Sequence, residues 1–221
     1  MYKKMLLFIG CCLSLVAEAG SMGMPPPPIQ MVEVHPWSVI ASIGYTSFED
    51  ALEGSGQTPL GRLAIAKSLC DFGASTIGVE LGVQNGNTIN LYIPQLSALP
   101  TFGSSPIVAS VSPLLDLLAD WKLSVSPNTP AFLNVKLGLG YRRMSILGRT
   151  TIGNTSQFAG EVQAGAGMPI TETSTLSLLY QGIFGSDLGF TVDNLANGTG
   201  YVKNIPVQNS ILLSLNVLLN S

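Results

Sequence analysis

From residue 37 to residue 219, apolar and polar side chains change places with a period of two in one segment after another. The segment TIGVELGVQ sets Ile77, Val79, Leu81 and Val83 against Gly78, Glu80, Gly82 and Gln84. Strict alternation of this kind is the mark of a strand with one apolar and one polar face. WSVIASIGYT places Trp37, Val39, Ala41, Ile43 and Tyr45 on one face, with Ile40 as the misfit. GRLAIAKSLC aligns Leu63, Ile65 and Leu69 opposite Arg62, Ala64, Ala66 and Ser68, and leaves Lys67 on the apolar side, where a bulge or a headgroup position would accommodate it. FLNVKLGLGYRR, FAGEVQAGAGM, TLSLLYQGIF and SILLSLNVLL repeat the pattern, although Leu179 and Ile183 blur the third of these. The eighth segment, PLLDLLADWKLSV, reads two ways. Strand spacing separates Leu115, Leu117, Ala119, Trp121, Leu123 and Val125 from Asp116, Asp120, Lys122 and Ser124. Helical spacing gathers Leu114, Leu117, Leu118, Trp121 and Val125 behind a Ser112-Pro113 start. The strand reading is preferred because it supplies a partner for its neighbour and makes the count even.

The connections sort by length. DFGAS, SPNTPA and PITETS join the second strand to the third, the fourth to the fifth and the sixth to the seventh, whereas residues 48–60, 86–112, 145–157 and 185–209 form long joins. Short and long connections in strict alternation predict an all-β fold, an eight-stranded antiparallel up-and-down transmembrane β-barrel occupying 37–221. A soluble sandwich has no reason to sort its loops this way.

Composition bears on which face is wet. Charged residues are only 10% of the chain and the mean hydropathy is +0.40, yet after the N-terminal segment no apolar run approaches the roughly 20 residues of a spanning helix. Lipid-facing strands spread their apolar residues over alternate positions, and that reconciles the two facts. The N-terminus, MYKK followed by MLLFIGCCLSLVA and Ala17-Glu18-Ala19, has the layout of a secretory signal peptide, assigned to residues 1–19. A lipid-bearing Cys11 is the weaker reading, because Phe8 stands at the usual leucine position. Removal of the signal leaves Cys70 alone, so no internal disulfide is expected. Residues 20–36, with four consecutive prolines, read as an extended lead-in.

With the apolar faces outward, the lumen would hold Arg62, Glu80, Asp116, Asp120, Lys122, Asn134, Lys136, Arg142, Glu161, Gln163, Gln181 and Asn216. Its four acids and four bases nearly neutralise one another. An eight-stranded barrel is just wide enough for side chains to fill, so hydrogen-bonded ion pairs across a closed interior are expected, with a continuous aqueous pore as the alternative. The glycines around Glu80 then leave space for a charged network. Aromatic belts are expected at both membrane interfaces: Tyr45, Tyr141, Phe158 and Phe184 at the long-loop ends, Trp37 and Phe132 at the short-turn ends.

The stretches GVELGVQNGNT, GEVQAGAG, LLYQGIFG and AGSMG resemble a family of small outer-membrane β-barrel proteins of Gram-negative bacteria, related in architecture to the OmpA transmembrane domain and to opacity-type surface proteins. The resemblance implies an outer-membrane location and a role in surface integrity or in contact with a host or environment. It brings no catalytic motif. One departure is the end, Val217-Leu218-Leu219-Asn220-Ser221, where such barrels usually finish on an aromatic residue. No peptidoglycan-binding segment is expected after residue 219.

Little else in the chain suggests chemistry. The single histidine, His35, precedes Pro36 ahead of the first strand and has no expected catalytic partner. Asp187, Asp193 and Asn194 share the last long loop without a cation-binding template. No cofactor or metal site is therefore expected. A net charge of −3 with 10 Lys plus Arg argues against nucleic acid as a partner. Outer-membrane lipid and lipopolysaccharide are the expected partners, with a host or environmental ligand at the loops. Three function classes stay open: a closed structural or adhesive surface barrel, a small-solute channel, and, with least support, a lipid-modifying enzyme.

Overall fold

The structure, a computed structural model, describes residues 36–49, 57–91, 107–126, 129–146, 155–185, 192–194, 198–200 and 207–219. The chain divides after Val34, and the barrel belongs to the unit His35–Ser221. The expected signal peptide and all of the lead-in except Pro36 lie outside the described residues.

The described strands are β1 (Trp37–Phe48), β2 (Thr58–Asp71), β3 (Ser75–Gln84), β4 (Asn87–Leu91), β5 (Ile107–Val111), β6 (Leu114–Ser126), β7 (Thr129–Ile146), β8 (Thr155–Pro169), β9 (Ser174–Gly185), β10 (Val192–Asn194), β11 (Gly198–Gly200) and β12 (Gln208–Leu219). Eight of them, β1, β2, β3, β6, β7, β8, β9 and β12, pair antiparallel with their neighbours, and the β7–β8 ladder closes the barrel. The segment 113–125 is a stave and not a helix, paired on both sides through Glu80↔Leu118 and Leu118↔Gly138.

The register shows how the staves are staggered. From Ser38 the pairing runs through Ala66, Glu80, Leu118, Gly138, Glu161, Ile183 and Gln208 and returns to β1 at Phe48, ten residues further on. A stagger of this size tilts the strands against the barrel axis, as closure of a small barrel requires. The strand ends at the three short connections share one rim with Trp37 and Leu219, and the strand ends that lead into the long joins lie at the other.

The strands run further than the alternation alone suggested. Strand β2 carries on through Asp71 and β3 begins at Ser75, so the turn shrinks to residues 72–74, where Phe72 N–H donates to the Ser75 carbonyl at 2.7 Å and Gly73 takes φ 66°. That left-handed backbone suits glycine and strains other residues. Lys67 is accommodated in two ways: the β2–β3 register shifts between Ser68 and Cys70, and its ammonium lies 5.1 Å from the centre of the Trp37 ring. Within the long join 86–112 the described residues form β4 and β5, which extend the β3–β6 hairpin beyond the Asn85-Gly86 and Ser112-Pro113 interruptions. Proline has no N–H for the ladder, which accounts for the second break. Strand β5 stays beside β7 through Ala109↔Ile146 and Val111↔Met144.

The alternation fixes which side chains enter the lumen. Outward positions are apolar and exposed, with Ile43 at 68% and Phe158 at 70% relative exposure, whereas inward positions combine charged, amide, hydroxyl and aliphatic groups. The sequence misfits Ile40, Leu179 and Ile183 all point inward. Together with Leu60, Ala64, Ala66, Leu114, Ala159 and Leu212 they make three small apolar clusters inside the barrel.

Candidate functional site

The polar lumen centres on Arg62, which β2 projects inward opposite Ser42 and Gln84. Its Nε donates to Asp116 Oδ2 at 2.9 Å and its Nη2 to Asp116 Oδ1, a two-pronged contact that matches the planar guanidinium to the carboxylate. Its Nη1 donates to Glu80 Oε1, while Lys136 Nζ donates to Glu80 Oε2 at 2.7 Å. Two acids and two bases from β2, β3, β6 and β7 thus form one neutral lattice, with Arg62 only 2% exposed and Glu80 1%. A buried charge is tolerable only when paired and hydrogen-bonded, and this lattice supplies both conditions.

Gly82 shows why the sequence around Glu80 is rich in glycine. A Cβ there would run into the Arg62 guanidinium and lie 2.7 Å from Asp116 Oδ1. Both groups would have to move from their shared geometry. Gly82→Ala is therefore expected to lower the stability of the folded barrel by about 1–3 kcal/mol, the usual cost of overpacking. The midpoint of urea unfolding, followed by gel migration, checks it.

Towards the long-loop end, Glu161 Oε1 accepts from Gln163 Nε2 at 2.7 Å and from Gln181 Nε2 at 2.6 Å, and Gln181 Nε2 also reaches Gln84 Oε1 at 3.0 Å. Arg142, 1% exposed, lies beside Gln157 under Gly185, where an added Cβ would come within 2.6 Å of its Nη2. Towards the short-turn end, Lys122 Nζ lies 3.6 Å from Asp120 Oδ2. Hydroxyl pairs, Ser42 with Ser214 at 2.8 Å and Ser210 donating to Thr46 at 2.9 Å, link β1 to β12 from inside.

All twelve charged and amide residues expected in the lumen lie on inward positions, but in three groups: Arg62, Glu80, Asp116 and Lys136; Asp120 and Lys122 with Asn134 and Asn216; and Glu161 with Gln163 and Gln181, with Arg142 at the same end. Gln84, Gln157 and Gln208 are also buried and inward. Gln84 already stood on the polar face of its segment, and parity would have revealed Gln157 and Gln208 had their strands been followed one and two residues further back.

Of the expected belt residues, Trp37, Tyr45, Tyr141, Phe158 and Phe184 point outward, and the Tyr141 and Phe158 rings meet at 5.5 Å. Phe132 corrects the expectation. It shares the inward parity of Asn134 and Lys136, pairs with Gly167, and has its ring tip 2.5 Å from where a Gly167 Cβ would stand. The absence of a side chain at Gly167 leaves room for the ring on the inner side of the wall. Trp121 is the outward aromatic missed at that end, and its Nε1 donates to Ser75 Oγ at 2.5 Å.

No helix among the described residues is long and apolar enough to cross a membrane, which says nothing of a barrel. The described residues hold no group of three or more His, Cys, Asp or Glu side chains placed to bind a metal. His35 and Asp187 lie outside the described residues.

Among solved structures, the chain is similar to the outer membrane protein OprG from Pseudomonas aeruginosa at 11% identity, a TM-score of 0.53, and coverage of 82% of this chain and 96% of that one. The chain has the fold of small outer-membrane β-barrels. Two further likenesses are weaker. The attachment invasion locus protein Ail of Yersinia pestis, solved with the heparin analogue sucrose octasulfate, gives 9% identity and a TM-score of 0.49 over 84% of this chain and 99% of that one. Neisserial surface protein A gives 13% and 0.47 over 83% and 97%. No family model and no curated protein matches the chain.

Proposed function

We propose that this protein is an outer-membrane surface protein: a lipid-embedded barrel, closed by its lumen charges, that presents its long-loop rim to the outside. The observation that carries the reading is the inversion of polarity, with Arg62, Glu80, Asp116 and Lys136 buried within and a continuous apolar surface without. Fully covering a Leu, Ile, Val or Phe side chain is worth about 1.5–3 kcal/mol. Soluble monomers rarely leave apolar patches larger than a few hundred Å² exposed. A band running round the whole barrel needs lipid to cover it.

The height of that band fits. Outward apolar residues run from Leu133 to Tyr141 on β7 and from Leu115 to Val125 on β6. At a rise of about 3.3 Å per residue and a tilt of about 40° these runs span roughly 20–25 Å along the axis, close to the apolar band of about 25 Å on outer-membrane barrels. The rims then meet the headgroups, where Trp37 with Lys67 and Tyr45, Tyr141, Phe158 and Phe184 act as interfacial anchors. The lipid partners are phospholipid and lipopolysaccharide, and nucleic acid is not among the partners. The long loops offer the variable surface for a host or environmental ligand. The role is structural or adhesive, without catalysis.

Gel migration of the outer-membrane fraction, with and without boiling, tests the membrane reading, and planar-bilayer recording tests closure. A faster unboiled band that shifts on heating, with no unitary ion steps, is the expected result. A soluble periplasmic protein without a heat shift would overturn the membrane reading, and steady ion steps would replace the closed barrel with a small-solute channel. His35→Ala is expected to leave lipid A unmodified relative to the parent.

A further inference from the structure

On the outer wall, the four adjacent staves β1, β2, β3 and β6 carry an open groove. Leu63 and Ile65 of β2 form one bank, Leu81 and Val83 of β3 the other, and the backbone of the Ala64–Gly82 pair is the floor. Neither floor residue adds a side chain to the outer face. Ala64 points inward and is 4% exposed, and the Cβ direction of Gly82 is taken by Arg62 and Asp116. The groove starts beside Val39 on β1 and climbs with the stagger of the staves to Leu115 on β6. Its volume is about 320 Å³, and none of its lining side chains is polar. That volume falls in the range of small-ligand sites, about 300–1,000 Å³.

A cation stands at the lower end of this groove. Lys67 lies two residues beyond Ile65 on the same outward face, in the row Trp37↔Lys67↔Val79 next to the row Val39↔Ile65↔Leu81. It is the one charged side chain that these four staves turn outward. Arg62, Glu80, Asp116, Asp120 and Lys122 face the lumen, and Asp71, beyond the bulge, pairs with Thr76 on the lumen parity. The ion pairs among the described residues all lie in the lumen and do not include Lys67. Its ammonium sits 5.1 Å from the centre of the Trp37 ring. An ammonium has three donors, and a ring face leaves some of them for an anion.

The occupant must join an anionic group at the short-turn rim to a hydrocarbon chain that rises towards the middle of the barrel. At about 3.3 Å per residue, Lys67 stands about 7 Å from Ile65 along β2, comparable to the glycerol and ester length between a phosphate and its acyl chain. A diacyl phospholipid of the periplasm-facing leaflet has this layout. Lipopolysaccharide carries its phosphates at the opposite, long-loop rim. A second copy packed through the same face would bring Lys67 no anion, because that face holds none. We infer that the β1–β2–β3–β6 face binds one anionic phospholipid as a specific ligand, with its phosphate on Lys67 beside Trp37 and one acyl chain in the groove over Ala64 and Gly82. This rests on the outer-membrane reading and deepens it by assigning a lipid to a site. One lysine at the level of the headgroups favours an anionic over a zwitterionic lipid by about fivefold.

Native mass spectrometry of the full chain reads the bound lipid directly. The protein is folded into vesicles of phosphatidylglycerol, phosphatidylcholine and lipid A in equal amounts and released in mild detergent, with folding verified by the heat shift. The expected result is one phosphatidylglycerol per barrel, retained about fivefold over phosphatidylcholine. Lys67→Gln should make the two phospholipids equal, and Val83→Phe, which fills the groove, should remove the bound lipid. Leu63→Phe is a second filling variant should Val83→Phe fail to fold. Arg143→Gln, exposed near the other rim, should change nothing. A folded parent without bound lipid, or equal retention by the parent, Lys67→Gln and the filled variants, overturns the site and leaves the membrane barrel intact. Lipid A held through Lys67 overturns the phospholipid assignment, and a lipid-free dimer that Val83→Phe breaks gives the groove to a second copy. A chain that shows no heat shift and does not enter the vesicles overturns the outer-membrane reading itself.

Discussion

Leu137→Arg is expected to destabilise the barrel by about 2–4 kcal/mol, the penalty for arginine on the lipid face of a barrel near the bilayer midplane. Leu137 lies halfway along the outward series Leu133 to Tyr141 on β7 and is 54% exposed, with no contact to the lumen charges. If water covered this face, the same substitution would cost almost nothing, because exposed positions away from special features usually change stability by less than about 0.5 kcal/mol. Tyr141→Arg provides the internal control. It stands at the long-loop end of the same series, where the penalty for arginine falls to about 0–1 kcal/mol. Urea titration of the folded band in vesicles measures both. Equal midpoints for Leu137→Arg and the parent would place the apolar face in water and refute the membrane assignment; a large loss at 137 with a small one at 141 gives the depth profile expected of a bilayer.

The strands were legible because period two survives any tertiary context that leaves one face apolar. The partner of each charge was not. Arg62 meets Asp116 across two intervening ladders, and which side chains meet depends on the ten-residue stagger that carries the register from Ser38 to Phe48, a property of closure that no single strand contains. The misfits Ile40, Leu179 and Ile183 had a shared cause. Alternation assigns a face, and it was read as though the inner face had to be polar, whereas a lumen narrow enough to be filled takes aliphatic side chains as readily as charges between its ion pairs. Phe132 was misassigned because its place at a strand end was weighed above its parity with Asn134. Strands β4 and β5 escaped notice because Gly86 and Pro113 punctuate the sequence there, and punctuation within a continuing hairpin resembles the end of one.

Removing the central arginine should have an effect as large as charging the lipid face, and for the opposite physical reason. Arg62→Ala deletes both donors to Asp116 and one of the two cations on Glu80, leaving two carboxylates in a space from which water is excluded. Breaking a buried ion pair by taking one partner typically costs about 3–5 kcal/mol, because the surviving charge is left uncompensated. Lys136→Met should cost less, since Glu80 keeps its contact with Arg62. The informative variant is the fourfold one, Arg62→Leu and Lys136→Met with Glu80→Gln and Asp116→Asn. It removes all four lattice charges together, and its urea midpoint should recover most of what Arg62→Ala loses, because a lattice site of similar volume then carries no desolvated charge. Conductance gives the second readout. Arg62→Ala empties the middle of the lumen between the buried glutamines and Lys136, so ion steps should appear in bilayers where the parent is silent, whereas the fourfold variant, with its volume restored, should stay closed. An Arg62→Ala barrel as stable and as silent as the parent would show that the lattice neither holds the staves together nor blocks the lumen, and the closure would then have to be assigned to the apolar clusters around Ile40, Leu179 and Ile183.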